Sequence, residues 1–176
     1  SQFERIPISD ERQEAMLRKQ IDDLEMAIQS ARYEQDGGRY TVKQIEKTRK
    51  TLQTRLEKLN QKEKKDQVVT FEELGVDHLY VDEAHSYKNA FLYTKMRNVA
   101  GIAQNEAQKS ADMFNKCQYL DEITGGKGIT FATGTPISNS MTELYVMQRY
   151  LQNSKLQNMG LGLFDSWAST FGEVVT

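Results

Sequence analysis

Apolar residues recur at helical spacing through the first third of the chain. Met16 or Leu17, Ile21, Leu24 and Ile28 fall on one side of a first helix. Ile45, Leu52, Leu56 and Leu59 fall on one side of a second. Ser9 stands where an N-cap would, with Asp10 and Glu11 in the opening turn. Gly37-Gly38 stops the first helix, and Thr41-Val42-Lys43-Gln44 carries the capping-box pattern that starts the second. At 1.5 Å per residue each helix spans roughly 30–37 Å. Two such helices and a Gly-Gly turn predict an antiparallel hairpin over residues 10–66. Its stripes can pack on each other, so it reads first as a structural arm. A dedicated DNA or partner contact is the alternative, and Lys58, Lys62, Lys64 and Lys65 are its weak hint, because acids are interleaved among them.

From about residue 67 the pattern changes to short β-branched runs punctuated by glycine. Thr70-Phe71-Glu72-Glu73 predicts a capped helical turn that Gly75 ends. His78 to Val81 predicts a strand. Ser110 to Ile123 predicts a helix with Met113, Cys117 and Leu120 on its buried face and Gly125-Gly126 at its end. Gly128 to Thr133 predicts a second strand. Ser140-Met141-Thr142-Glu143 caps a further helix, whose buried face is expected at Leu144, Met147 and Leu151. Phe164, Trp167 and Phe171 make a last amphipathic segment, read as core packing. Strand and helix in alternation predict an α/β fold with a parallel sheet and crossover helices.

Composition narrows the function classes. At 176 residues, 38% hydrophobic and 27% charged, the chain can bury one real core. A net charge of −2 gives no global field toward nucleic acid, so any such contact needs a local patch. The single cysteine, Cys117, cannot form an internal disulfide and lies in an apolar helical pattern, so it reads as a packed thiol. No apolar run approaches the ~18 residues of a membrane span, and a cytoplasmic location is expected. The chain opens without Met, and the expectation is an excised piece of something larger.

The chemistry concentrates at "VDEAHSYKN", Val81 to Asn89. In open α/β sheets ligands bind beyond the carboxyl ends of the strands, where Asp82 and Glu83 fall. Hydrolysis of a nucleoside triphosphate needs one acid to hold Mg²⁺ through water and another to orient or deprotonate the attacking water. For two acids alone, a solvated strand end is the commoner explanation. The neighbouring letters argue otherwise. "DEAH" after an apolar strand, then two residues and "KN", resembles the Walker B box of superfamily 2 helicases, in particular the Swi/Snf-type DNA translocases. "ATGTPISNS", Ala132 to Ser140, resembles the "TGTP" box of the same family, and the helix "MTELYVMQRYL" resembles the one that follows it there.

The resemblance implies a partial RecA-like first motor domain. It implies ATP and Mg²⁺ as cofactors, and DNA and the remaining motor domains as partners. It implies Asp82 on Mg²⁺ through water, Glu83 as base or water-positioner, and His85 linked to Thr133 and Thr135 across Gly134. It assigns no chemical role to Lys88 and Asn89. His85 as a zinc ligand finds no Cys/His set of ligand spacing.

No phosphate-cradling G-x-x-x-x-G-K-[ST] occurs. "TGGKGIT", Thr124 to Thr130, precedes a strand instead of following one, and reads as a helix end and tight turn. The phosphate loop is therefore expected upstream of Ser1, and the isolated chain is expected to be inactive. Residues 1–9 are expected to be an early segment of the motor domain, 10–66 an inserted hairpin, and 67–176 the domain's C-terminal part. The hairpin and the stretch "FLYTKMRNVAGIAQNEAQKS" are longer than the usual family connections. Lys95, Arg97 and Lys109 make the latter mildly basic and candidates for DNA contact. It reads equally as an ordered loop over the site or a surface loop. These departures resemble large phage or conjugative-element proteins that join such a motor to an adenine-specific DNA methyltransferase. No methyltransferase motif is present. Two other readings stay open: a binding module whose surface is the hairpin, and a different nucleotide enzyme, such as a restriction-type motor, using the same acids.

Overall fold

A computed structural model describes residues 2–33, 38–61, 69–90, 92, 94, 96, 99, 108–138 and 140–172. Gly37, Lys62, Lys64, Lys65, Lys95 and Arg97 lie outside them. The chain is mostly helical with one small parallel sheet, and it divides into two compact units, Pro7–Thr70 and Ser1–Ile6 with Phe71–Thr176.

The first unit is a helical pair, α1 (Asp10–Tyr33) and α2 (Gly38–Asn60). Ile21, Leu24, Ala27 and Ile28 of α1 and Ile45 and Leu52 of α2 are buried. These are the periodic positions, because each stripe has only the other helix to leave water against. Met16, Leu17, Leu56 and Leu59 are only half-buried, nearer the open end of the pair. The Gln13 amide donates to Ile8 O at 2.7 Å, and Arg49 pairs with Glu25 across the helices at 3.0 Å. That ion pair is largely exposed and contributes little. α2 starts at Gly38, so the expected start at Thr41 falls inside its first turn.

The second unit carries β1 (Leu79–Asp82), α3 (Gln108–Thr124), β2 (Ile129–Ala132), α4 (Met141–Asn158) and α5 (Phe164–Phe171). β1 and β2 pair in parallel, Leu79 opposite Ile129 and Asp82 opposite Ala132. The connection between them includes α3, as parallel pairing requires. The turn entering β2 needs Gly128, where a Cβ would sit 2.8 Å from Asp77 O. One sheet face is partly covered through Leu79, Val81, Ile129 and Phe131. The other is exposed, with Tyr80 at 75% and stacked on His78 at 4.3 Å.

Tyr150 is the hub of this core. It is fully buried, its ring meets Phe114 and Phe131, and its hydroxyl lies 3.0 Å from both Tyr87 O and Ser110 O. The buried face of α4 is therefore Tyr145, Val146, Met147 and Tyr150, while Leu144 and Leu151 are half-exposed. Met147 is buried as expected, and Leu144 and Leu151 are not, because aromatic rings, each satisfying its hydroxyl, outcompete the leucines for the core. α4 also kinks at Gln152, where φ is −153°. Beyond the kink, the buried Asp121 of α3 accepts from Ser154 N at 3.1 Å and from the Ser154 hydroxyl, capping the second half of α4. In α5, Phe164 and Trp167 pack with Tyr145, but Phe171 is 57% exposed because the helix ends on it.

Met113, Cys117 and Leu120 are buried as the spacing predicts. Burial, then the nearby Asp121, pushes the Cys117 thiol well above its ordinary range, so it is an inert packing group.

Candidate active site

β1 ends on Asp82, and the chain turns sharply at once. Glu83 takes a left-handed conformation, φ 51° and ψ 44°, the one described non-glycine residue with positive φ. Asp82 Oδ1 accepts from Glu83 N at 2.9 Å and steadies the turn. A short 3₁₀ turn, Ala84–Tyr87, follows. Both acid side chains are exposed and look out from the C-terminal end of the sheet. A side-chain-bearing residue held at positive φ costs roughly 1–2 kcal/mol, and such strain gathers at functional positions. Glu83→Gly is therefore expected to be more stable than Glu83→Ala by about 1 kcal/mol in urea unfolding, the reverse of the usual order. Equal stability, or Ala above Gly, would show the turn to be unstrained.

The parallel register sets Ala132 beside Asp82, which brings Thr133 within reach of the 3₁₀ turn. His85 Nδ1 lies 3.0 Å from Thr133 Oγ1 and 3.1 Å from Glu83 Oε2. The contact with Thr133 is a hydrogen bond whose donor depends on the imidazole tautomer, and the contact with Glu83 is a close approach of the two side chains. Thr133 Oγ1 also accepts from Thr135 N at 3.2 Å. Thr133 thus makes the expected link to His85. Thr135 instead meets Thr133, through its backbone N–H.

Lys88, just after the 3₁₀ turn, donates to Ser138 Oγ at 2.8 Å and to Glu143 Oε2 at 3.1 Å. Glu143 Oε2 also accepts from Ser138 N at 2.6 Å. The Lys88 and Glu143 side chains are each only 10% exposed. The sequence offered no role for Lys88 and none for Glu143 beyond the helix cap. The signal was a lysine three residues beyond the His and an acid in the first turn of the next helix, too generic to pair without coordinates.

Among the described residues no three His, Cys, Asp or Glu gather into a metal cage. What the acid turn offers is two adjacent exposed carboxylates, Asp82 and Glu83. That suits a Mg²⁺ that keeps most of its waters, and not an ion dehydrated by protein ligands.

A family model described as a probable helicase domain matches residues 1–176. The chain belongs to that family. It is also similar to the "Defense against restriction protein B" of Escherichia phage P1, 31% identical over 116 residues, which are 63% of this chain and 5% of that protein. The chain thus spans a small fraction of that relative's length. No solved structure matches.

Among the described residues, the other candidate positions of this helicase-family chain make no hydrogen bond to Asp82 or Glu83. Asn89 is exposed immediately after Lys88. Gly134 is exposed, and a Cβ there would meet nothing within 4 Å, so no neighbour among the described residues demands glycine. Lys58 is exposed at the end of α2. Lys109 is exposed at the start of α3, its ammonium 5.6 Å from the centre of the Tyr87 ring. "TGGKGIT" is the turn that ends α3 and enters β2, with Lys127 N donating to Thr124 Oγ1. No described helix is long and apolar enough to cross a membrane.

Proposed function

We propose that the chain is the latter part of a RecA-like motor domain of an ATP-dependent DNA helicase or translocase, of the Swi/Snf-like branch of superfamily 2. One observation carries this reading: His85 touches Glu83 and Thr133 at once, so a single imidazole joins the acid turn to the hydroxyl loop. A solvated strand end has no need of a strained glutamate tied through histidine to a second loop.

Asp82 would hold Mg²⁺ through its water shell. The ion, when bound, neutralises charge on the transferring phosphoryl group. Glu83 accepts the proton of the attacking water. The water oxygen bonds to the γ-phosphorus, the bond from that phosphorus to the β–γ bridging oxygen breaks, and its electron pair leaves with ADP. Inorganic phosphate is the second product. Thr133 and the exposed segment 134–137 would sense which state the acid turn is in, and Gly134 leaves room for something outside the chain to approach. DNA and the remaining motor domains of a longer protein are the partners this reading requires. The test is ATP turnover by the full-length protein with and without duplex DNA. Stimulation by DNA supports the reading, and absence of any ATP turnover overturns it.

The alternative, a binding module built on the hairpin, has one observation in its favour. At about 100° per residue, Lys43, Lys47, Lys50 and Lys58 line the side of α2 opposite Ile45 and Leu52, and all four are exposed. If they meet phosphates, changing all four to Gln in the full-length protein lowers the salt dependence of DNA binding. The slope of log K against log salt should fall by about 1 for each phosphate that is no longer neutralised. An unchanged slope removes the hairpin as a DNA surface.

A further inference from the structure

We propose that Lys88 is a positioning residue. With Glu143 it forms a second anchor that locks the loop after β2, and the start of α4, to the acid turn. The proposal rests on the motor reading and adds to it a role for a lysine that the motif left unexplained.

The loop is held at both ends by neighbouring positions of one short segment. At its start, Thr133 Oγ1 meets His85 at 3.0 Å. At its end, Ser138 is gripped three ways: its hydroxyl accepts from Lys88 at 2.8 Å, its N–H donates to Glu143 Oε2 at 2.6 Å, and its hydroxyl lies 3.2 Å from the same oxygen. Between the anchors, Gly134, Thr135, Pro136 and Ile137 are all exposed. One anchor would let this bow pivot about Thr133. Two fix its direction.

The second anchor is also the stiffer one. An exposed ion pair yields easily to water. Lys88 and Glu143 are 10% exposed each, and separating them would leave two poorly solvated charges, so they move together. Glu143 lies in the first turn of α4. Displacement of the acid turn, for instance when Glu83 meets a γ-phosphate or loses it, is thereby passed both to the exposed bow and to α4. His85 alone, through a hydrogen bond to a single hydroxyl, reaches only the near end of the bow.

The experiment uses the full-length protein and compares Lys88→Met, Ser138→Ala, and the double variant Lys88→Met with Glu143→Gln. Each is measured for thermal stability and for kcat and KM for ATP, with and without duplex DNA. Lys88→Met is expected to lower the DNA-stimulated kcat about tenfold, within the range of ordinary coupling between sites, with KM for ATP changed less than about twofold. The double variant removes both charges and should regain stability without regaining stimulation. Ser138→Ala takes an exposed residue out of the anchor, folds regardless, and should lower stimulation by a smaller factor. If stimulation returns together with stability in the double variant, or if Ser138→Ala and the double variant both match wild type, the anchor is only structural and the proposal falls. Glu83→Gln run alongside separates the two readings. Turnover that survives Glu83→Gln removes the acid turn, and the anchor's role with it. Turnover lost in Glu83→Gln but normal in the Lys88 variants removes the anchor alone.

Discussion

Glu83→Gln in the full-length protein is expected to lower DNA-stimulated ATP turnover by about 10²–10⁴-fold, the range of a lost general base, while ATP binding is retained. Gln keeps the length and hydrogen-bonding oxygen of Glu, and the residue is exposed, so packing does not change. What is lost is the ability to take a proton. The His85 imidazole also loses the charged neighbour 3.1 Å from its Nδ1 and keeps Thr133 at 3.0 Å. The measurement is steady-state phosphate release beside binding of a fluorescent ATP analogue. Loss of turnover with binding intact puts Glu83 in the chemical step. Unchanged turnover would mean the acid turn is ornament and would move the hairpin reading to first place.

The largest effect on stability is expected at Lys116. This lysine of α3 is fully buried. Its ammonium pairs with Asp112 at 2.6 Å, donates to Phe3 O at 2.9 Å, and lies 4.3 Å from the centre of the Phe3 ring. Phe3 in turn meets Phe71 edge to face at 5.9 Å. One charge therefore fastens the first residues of the chain to α3. Burial holds the Asp112 carboxyl above its ordinary range even with the lysine beside it, although its side chain is 23% exposed and only the lysine is fully buried. Lys116→Ala leaves that acid without its partner, and the Phe3 carbonyl keeps only the Ile6 N–H at 3.2 Å. A loss of about 3–5 kcal/mol is expected. Replacing both charges, Lys116→Met with Asp112→Leu, should recover most of it. Urea unfolding followed through Trp167, the one tryptophan of the sequence, reads both. A small loss in Lys116→Ala would show that water reaches the site.

The features that sequence could reveal were local ones. The inner parts of the α1 and α2 stripes, the buried face of α3 and the acid pair at a strand end all follow from spacing within one element, and these stand where they were expected, while Met16, Leu17, Leu56 and Leu59 are only half-buried. Strand limits shifted by a residue: Asp82 closes β1 inside the ladder, and Thr133 falls outside β2. What stayed hidden depends on partners far along the chain. A lysine reads as exposed until its carboxylate is known, so Lys88 and Lys116 gave no sign of burial. Tyr150 reads as half-polar until two carbonyls are found beside its hydroxyl. Glutamate seldom adopts positive φ, so nothing in the letters "DEAH" announces the turn at Glu83.

The link between His85 and Thr133, and those of Lys88 to Ser138 and Glu143, join residues 48 to 55 positions apart in sequence. A helix closes in microseconds, but pairings of such separation wait for a long loop to lose its freedom. The hairpin helices and α3 can therefore form early, while the acid turn meets its loop only when β1 and β2 find their parallel register. The contacts that join the acid turn to its loop are thus expected among the last of this unit to form. A molecule caught part-way, helical and compact, would hold both halves of the site and be able to use neither.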